Sequence, residues 1–467
     1  MGLKTFEIEF AELGKDFFLR FDFDYFEIKK KLSIDNSIKL KKYLTFLETG
    51  KPITPDDYEE ESGNAHIVVR NIVEGEFDKS SLIYISDEKA EELKKYRIEK
   101  GDLIIAISSN CGYSFLYSGD DNRNFTLSHY LARFRVNGKF VNPVFLNYYI
   151  NSKLIKQYFR SVETGKTLKN LSKYYIKEMP VRIPAKEKQN QIVSQIEPIE
   201  KKIKELKAKM QPAQTIINKI FAREFRFDIA KFEELKAHKI FNLDFADFAS
   251  NIDLRQSVKF HREAGKFALE QLNSKTSKKV KDFLSEPIVL GKGISPSEYD
   301  ENGDVFYIAM SNIKNWKFEI EEARTVSSTF ANANKNKTVA INDILLARSG
   351  EGTIGKVALI DDENIDGVFA DFTMRIRLKN YNHLFAYYYF RSTYFQYLVE
   401  INKKGLGNNT NIFPSQIQEF PLFDISLDKQ QQIVKEIKVD LDEQATIKKE
   451  IAKERDKIDK IIENNIM

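Results

Sequence analysis

Apolar residues recur at helical spacing in two long segments of the chain. The first segment steps by three or four positions through Ile192, Ile196, Ile199, Ile203, Leu206 and Met210. The second carries a similar, more interrupted stripe through Ile433, Ile437, Ile447, Ile451, Ile458 and Ile461. A narrow apolar stripe of this kind predicts a long helix that needs a second helix to cover it. We therefore predict two long helices, at residues 186–226 and 428–467, that pack antiparallel on each other.

Two prolines, Pro198 and Pro212, lie inside the first of these segments. Proline has no backbone N–H to donate and its ring clashes with the preceding helical turn, so we expect the helix to kink or split there. The same segment is basic, with ten Lys or Arg residues against five Asp or Glu over residues 186–226. A basic stripe suits a polyanion such as nucleic acid, and a solvated helix face is the alternative interpretation.

Short apolar runs typical of strands precede each predicted long helix. They lie at residues 66–69, 103–107 and 132–136, and again at 306–309, 344–347 and 374–378. Turns rich in Gly, Asn, Asp and Ser separate them. An aromatic segment that we predict to be helical follows in each region, at residues 145–152 and 385–392. The order of elements therefore predicts two regions of mixed helix and strand.

The second half of the chain repeats the first at a nearly constant offset of 241 residues, since Gly50 returns as Gly291. The matching blocks are residues 50–55 with 291–296, 100–106 with 341–347, and 188–193 with 429–434. Solenoid units are only about 20–50 residues long, so the repeated unit here is a whole domain. We predict an α+β fold with two similar, mixed α/β globular domains joined by two long antiparallel helices, with an internal pseudo-two-fold repeat. The predicted boundaries are 1–185 for the first domain, 186–226 for the first helix, 227–427 for the second domain and 428–467 for the second helix.

Composition narrows the class of protein. The 467 residues are 42% hydrophobic and 30% charged with a net charge of +4, as in an ordinary globular protein. Cys111 is the single cysteine, which excludes an intrachain disulfide and a cysteine-based metal site, and the five histidines show no ligand spacing. No apolar run approaches the roughly 18 residues of a membrane helix. We expect a cytoplasmic protein with no metal, no cofactor of its own and no membrane partner.

The segments that resemble catalytic motifs each lack a residue or an element that the chemistry requires. Residues 350–356 fit the P-loop spacing G-x-x-x-x-G-K, but Val357 stands where Mg²⁺ coordination needs a hydroxyl, and the sequel predicts a strand instead of a helix. Residues 142–145 are one residue away from the Asn-Pro-Pro-Phe loop of amino-methyltransferases, without a glycine-rich cofactor loop. No Ser, His and Asp grouping has a usable spacing. Two similar domains without a catalytic group predict binding, and we expect no enzymatic activity from the chain itself.

Polar and basic loops punctuated by glycine recur at matching positions of the two domains. Such side chains reach phosphates and base edges, and glycine lets backbone N–H groups approach a phosphate. An ordinary surface loop is the alternative interpretation for any one of them, and the recurrence favours binding. The candidate DNA-contacting residues of the first domain are Lys51, Arg70, Asn71, Ser108, Ser109, Asn110, Lys166, Thr167 and Lys169. Those of the second are Lys292, Ser311, Asn312, Arg348, Ser349, Glu351, Lys403, Lys404, Asn408, Asn409 and Thr410.

Across almost its whole length the chain resembles the DNA-specificity (S) subunit of type I restriction–modification systems. The resemblance is carried by the strand-and-turn segments 101–105 and 342–358, by residues 20–26, and by a loop–strand–helix block that occurs twice, at 165–193 and 411–434. The chain departs from the family pattern at 408–410, where Gly followed by Ser or Thr is usual, and at 254–256, which blur the opening motif of the second copy.

The resemblance implies a function in phage defence. Each domain would be a target recognition domain that reads one half of a bipartite, asymmetric double-stranded DNA target. The helices would set the spacer and dock two DNA adenine methyltransferase (M) subunits, with restriction/translocase (R) subunits where the system has them. S-adenosylmethionine and ATP with Mg²⁺ would belong to those partners. A stand-alone DNA-binding regulator and a two-headed protein adaptor are the alternatives.

Overall fold

The computed structural model describes residues 23–32, 37–165, 168–238, 240–249, 255, 257–350, 352–405 and 410–466. The chain divides into two compact units. Unit 1 comprises the described residues up to Lys209 together with those from Ile447 onward, and unit 2 is Met210–Thr446. Each unit therefore contains one domain and part of both long helical segments, whereas the sequence-based boundaries treat the helices as separate segments.

Unit 1 combines helices with short strands. Its helices are α1 (Phe23–Leu32), α2 (Asp87–Glu92), α3 (Pro143–Asn151), α4 (Lys153–Val162), α5 (Lys173–Glu178) and α6 (Lys186–Lys209). Its strands are β1 (Ile38–Lys39), β2 (Leu44–Thr49), β3 (Tyr58–Glu59), β4 (Asn64–Ile67), β5 (Ile72–Val73), β6 (Glu76–Phe77), β7 (Ile83–Ile85), β8 (Leu103–Ala106), β9 (Ser114–Leu116), β10 (Asn124–Leu127), β11 (Leu131–Val136) and β12 (Pro180–Val181).

Two four-stranded sheets organise the strands of unit 1, in the orders β10-β4-β7-β3 and β2-β11-β8-β9. The second sheet is antiparallel throughout, with Ile105 of β8 opposite Ala132 of β11 and Ser114 of β9. All four residues of β8 are buried, which explains why this strand is a continuous apolar run instead of an alternating one. The buried strand β8 therefore anchors the start of the turn that follows it.

Unit 2 repeats this arrangement with different lengths. Its helices are α7 (Ala213–Phe225), α8 (Ile229–Ala237), α9 (Phe245–Ala249), α10 (Glu263–Asn273), α11 (Ser328–Ala333), α12 (His383–Arg391), α13 (Thr393–Asn402), α14 (Pro414–Ile417) and the first part of α15 (Leu427–Ile466). Its strands are β13 (Val289–Leu290), β14 (Val305–Ile308), β15 (Ile313–Lys314), β16 (Lys317–Phe318), β17 (Arg324–Val326), β18 (Ile344–Ala347), β19 (Val357–Leu359), β20 (Gly367–Phe369) and β21 (Thr373–Ile376). The sheet β13-β21-β18-β19 corresponds to the second sheet of unit 1.

The first long helix is split, as the prolines predict. Helix α6 ends at Lys209 and α7 begins at Ala213, with Pro212 as the residue before its first turn. Pro198 is accommodated inside α6. The predicted helical segment 186–226 is therefore made of two helices, because Pro212 can begin a helix but cannot donate within one. The second long helix is unbroken over Leu427–Ile466, close to the predicted range.

Antiparallel helix pairing is present within each unit. In unit 1, the Lys202 ammonium contacts the carboxylates of Glu450 and Glu454 at 2.7 and 2.8 Å. In unit 2, the Gln211 backbone N–H donates to Gln444 Oε1 at 2.8 Å, and Arg223 pairs with Glu436. Residue numbers increase along one helical segment and decrease along its partner, so the two segments are antiparallel. The seam residues predicted for unit 1 are buried: Ile196, Ile203, Ile447 and Ile451.

Candidate nucleic-acid interface

Three segments of unit 1 lie side by side where β8 ends. The N–H of Ile107 donates to the carbonyl oxygen of Tyr130 at 3.0 Å, on one side of the turn. On the other side, the N–H of Leu171 donates to Ile107 O at 2.8 Å and the N–H of Ser109 donates to Lys169 O at 2.9 Å. We call this surface edge 1 and define it as residues 107–111, 129–130, 164–165 and 168–171.

Unit 2 builds the same arrangement at the end of β18. The N–H of Arg348 donates to Phe372 O at 3.0 Å, and the N–H of Ile412 donates to Arg348 O at 2.9 Å. The Ser349 hydroxyl donates to Thr410 O at 3.1 Å. We call this surface edge 2 and define it as residues 348–350, 352–354, 371–372, 403–405 and 410–413. The repeat that is visible in sequence is therefore also a repeat of backbone pairing at the two edges.

The two edges bring together many of the sequence-predicted residues. Ser109, Asn110 and Lys169 are exposed along edge 1, whereas Ser108 is buried. Edge 2 holds half-buried Arg348, Lys403 and Lys404 together with buried Ser349 and Thr410. The five remaining loop candidates fall outside the described residues: Lys166, Thr167, Glu351, Asn408 and Asn409.

Lys51 and Lys292 flank the edges from the neighbouring strand. The Lys51 backbone N–H donates to Leu127 O at 2.8 Å, next to the turn that carries Tyr130. The Lys292 N–H donates in the same way to Phe369 O at 2.9 Å, next to the turn that carries Phe372. Both side chains are exposed, and the backbone of each lysine lies next to its edge.

Arg70, Asn71, Ser311 and Asn312 lie elsewhere, in short 3₁₀ turns after β4 and β14. Asn71 is buried, and its Oδ1 accepts from the Val68 N–H at 3.0 Å. Asn312 is buried and accepts from the Ala309 N–H at 3.0 Å. The expectation of DNA contact for these two asparagines is therefore corrected, because their amides are used inside the fold to close a turn. Arg70 and Ser311 are exposed but are not part of either edge.

Arg348 is held in place by its neighbours on edge 2. Its Nη2 donates to Asn411 Oδ1 at 3.2 Å, and its guanidinium carbon lies 5.4 Å from the centre of the Phe413 ring. Its Nε is buried and has no hydrogen-bond partner among the described residues. Partial burial against an aromatic ring restricts the side chain and leaves its remaining N–H groups as donors for a ligand.

At one equivalent position, each edge presents an exposed aromatic residue that is absent from the sequence-based candidates. Tyr130 is 42% exposed and Phe372 is 48% exposed, and each precedes the strand that pairs with β8 or β18. Their carbonyl oxygens accept equivalent hydrogen bonds, from Ile107 and Arg348, so they are structural counterparts. The sequence contains both rings, but nothing in it distinguishes an exposed aromatic residue from the many that fill the cores.

The described residues contain no cluster of His, Cys, Asp or Glu side chains that could hold a metal ion. None of the helices described by the structure combines the length and the apolar character that a membrane span needs. What the fold and the edges define is a protein with two homologous mixed α/β domains, each presenting polar, basic and aromatic side chains at a strand end.

The type I restriction modification DNA specificity domain is the family whose model matches the chain, at residues 36–212 and again at 275–454. These two matches cover more than half of the chain, one in each half of the repeat. The chain belongs to this family.

Subunits of such systems are among the solved structures that match the chain over most of its length, at low identity. The S subunit of the type I restriction–modification system from M. genitalium is 14% identical, with 94% of this chain and 98% of that chain covered and a TM-score of 0.38. HsdS from Thermoanaerobacter tengcongensis is 13% identical, with 92% and 96% covered and a TM-score of 0.31. A comparison with curated proteins found no match.

Proposed function

We propose that this protein is the sequence-specificity subunit of a type I restriction–modification complex, in which each domain reads one half of a bipartite, asymmetric DNA target. The observation that carries the proposal is the pair of edges. The same three-segment backbone arrangement occurs in both units, but Ile107 follows β8 at the position where Arg348 follows β18. Equivalent scaffolds with different side chains suit two different half-sites.

The residue types on the edges support readout of duplex DNA. An arginine pairs well with the acceptors of guanine, an asparagine with adenine, and an aromatic ring with the methyl group of thymine. Arg348, Asn110 and the rings of Tyr130 and Phe372 are therefore candidates for base contact. Lysines at the borders of the edges, such as Lys51 and Lys292, suit phosphates, which position a protein on DNA without reading its sequence.

We further propose that the long helices set the spacer between the half-sites and dock two DNA adenine methyltransferase subunits. Their apolar seam is used internally, so docking falls to the outer faces. Val439 on α15 is 57% exposed, an apolar side chain of the kind that a partner covers. In this proposal the chain itself is not catalytic. S-adenosylmethionine, and ATP with Mg²⁺, bind to the methyltransferase and, where present, restriction/translocase subunits.

Selection of bound duplexes from a fully randomised library by the full-length chain tests the DNA half of the proposal. The expected result is an enriched motif with two specified blocks separated by unspecified base pairs, together with binding that weakens steeply as salt is raised. Enrichment of a single uninterrupted block, or of no motif, overturns bipartite reading. A comparison of DNA methylation in the host with and without the gene tests the partnership, and the proposal requires that adenine methylation at the selected motif disappears with the gene.

A further inference from the structure

The turns that begin the two edges are closed by the same backbone hydrogen bonds. In unit 1, the N–H of Gly112 donates to Ala106 O at 2.8 Å, and in unit 2 the N–H of Gly355 donates to Ala347 O at 2.8 Å. These bonds enclose residues 107–111 in unit 1 and, among the described residues of unit 2, 348–350 and 352–354, which carry candidate readout side chains. Both glycines have φ values in the left-handed region, at +84° and +83°. The two turns differ in length but end on one shared backbone geometry.

A side chain from a helix later in the same domain contacts each of these glycines. Lys156 of α4 donates through Nζ to Gly112 O at 2.6 Å. Gln396 of α13 donates through Nε2 to Gly355 O at 2.7 Å. Each residue is the fourth after a serine at the start of its helix, Ser152 or Ser392. Two chemically different side chains therefore make one contact at structurally equivalent positions.

The surroundings of Lys156 differ from those of an ordinary surface lysine. Its Nζ also donates to Asn151 Oδ1 at 2.9 Å and lies 3.9 Å from the centre of the Tyr113 ring. Within the described part of the chain it forms no ion pair with a carboxylate. Burial lowers the pKa of Lys156 well below its usual value, because an ammonium group loses water there, and the charge of Arg160 lowers it further. Gln396 makes the equivalent contact in unit 2 without a charge. The shared feature is therefore the hydrogen bond to the glycine carbonyl oxygen, and the charge of Lys156 is not needed for it.

Both glycines pack closely against their helices, with no space for a side chain. A Cβ added to Gly112 would lie 2.3 Å from Cδ2 of Phe159, and one added to Gly355 would lie 2.8 Å from Oε1 of Gln396. Each turn therefore rests directly on its helix, and the donated hydrogen bond satisfies a buried carbonyl oxygen. Removal of the donor leaves that oxygen without its partner and frees the turn to move.

We propose that Lys156 and Gln396 are equivalent positioning residues for DNA recognition, each fixing the readout turn of its own domain against helix α4 or α13. This inference rests on the proposed function, because the turns matter for specificity only if the edges read DNA. Neither side chain needs to touch DNA. Their effect is expected on discrimination within one half-site, through the placement of residues 107–111 in the first domain or of 348–350 and 352–354 in the second.

The test uses the full-length chain and its own motif from the randomised library. Lys156→Met keeps the length of the side chain and removes the donor, and Lys156→Gln supplies the donor that the second domain uses. Lys156→Met is expected to lose roughly tenfold of its discrimination in the first half-site, as the loss of one buried hydrogen bond predicts, with the second half-site unchanged. Lys156→Gln is expected to restore it to within about twofold. Gln396→Leu should mirror the loss in the second half-site.

Hydrogen exchange gives a second readout, in which Lys156→Met should accelerate exchange at residues 106–113 without a general change in unit 1. Lys139→Met, an exposed change at the other end of β11, is the matched control and should alter neither readout. Unchanged discrimination in both Lys156→Met and Gln396→Leu overturns the inference while the proposed function stands. Unfolding of both variants also overturns it, because the side chains would then support the whole domain. A wild-type chain without half-site preference instead contradicts the proposed function itself.

Discussion

Gln189 accepts a hydrogen bond from the backbone N–H of Asn142 through its Oε1, at 2.7 Å, and donates through Nε2 to two backbone carbonyl oxygens. Gln430 makes the equivalent contact with the Asn382 N–H at 2.8 Å. Since Asn142 and Asn382 precede α3 and α12, each glutamine fastens the start of a long helix to the aromatic helix of its own domain. The repeated block at 188–193 and 429–434 is therefore an attachment between helix and domain.

Replacement of either buried glutamine by alanine should destabilise the protein. Gln189→Ala leaves the Asn142 N–H and two carbonyl oxygens without a partner, and one unsatisfied buried group costs about 1–3 kcal/mol. Chemical unfolding of the full chain measures the change. Gln191→Ala is the matched control in the same block, because Gln191 is exposed, and it should have almost no effect. Equal stability of the two variants would contradict the attachment.

His66 should make the stability of the first domain depend on pH. The side chain is buried, its Nδ1 lies 2.8 Å from Thr126 Oγ1, and burial lowers the pKa of His66 from 6.5 to about 4. As pH falls below 6.5, His66 is protonated in the unfolded chain but stays neutral in the folded chain. The contribution is therefore complete above pH 6.5 and declines towards pH 4, by on the order of 3 kcal/mol.

Thermal unfolding between pH 7.5 and pH 4.5 checks this expectation. His66→Gln should flatten the acid side of the profile, because glutamine does not titrate. A wild-type slope that persists in His66→Gln would assign the pH dependence to other groups.

Ile203 is the seam residue whose change most directly tests the helix pair. It is 1% exposed, so Ile203→Asp buries a carboxylate without a partner and should cost several kcal/mol, about 3–5 in comparable cases. The measurement is circular dichroism during chemical unfolding. Glu205→Asp, a change at an exposed position two residues away on the same helix, is the control. Normal stability and DNA binding in Ile203→Asp would mean that the seam is misassigned.

Arg348→Ala should relax specificity in the second half-site alone. A side chain that reads a base edge contributes roughly 1–3 kcal/mol of discrimination at one position. Lys403→Ala should instead weaken binding about equally for all sequences, as a phosphate contact does. Binding to duplexes that carry every single substitution in both half-sites separates the two outcomes, with Arg324→Ala, an exposed arginine outside edge 2, as the control. Relaxation in both halves from Arg348→Ala would contradict reading by separate domains.

Tyr130→Ala and Phe372→Ala test the aromatic part of the edges. Because the two residues are 42% and 48% exposed, their removal should destabilise the protein less than removal of a core aromatic residue, which costs about 3–5 kcal/mol. Binding should weaken, with the preference changed in the first half-site for Tyr130→Ala and in the second for Phe372→Ala. Val73→Ala, another exposed apolar position in unit 1, provides the comparison. Wild-type affinity and preference in both aromatic variants would remove the rings from the interface.

The sequence by itself determined the duplication, the class of fold and the long helices. The duplication follows from sequence blocks that recur at one offset. The long helices follow from local periodicity, because a helix that packs on another helix needs an apolar residue at every third or fourth position. The burial of Ile196 and Ile203, and the split before Ala213, follow directly from that spacing and from Pro212. The block around Gln189 and Gln430 was visible as a repeat, although its role as an attachment was not.

Only the tertiary structure decided which polar segments meet. Ser109 lies beside Lys169, and Arg348 beside Phe372, through backbone pairing between segments that are distant in sequence. The same packing buries Asn71 and Asn312 and leaves Tyr130 and Phe372 partly exposed to solvent. Burial depends on every neighbour that the fold brings to a side chain, so the residue type and its local spacing do not reveal it. Lys156 and Gln396 show this most clearly, because unlike side chains make the same contact with a glycine carbonyl.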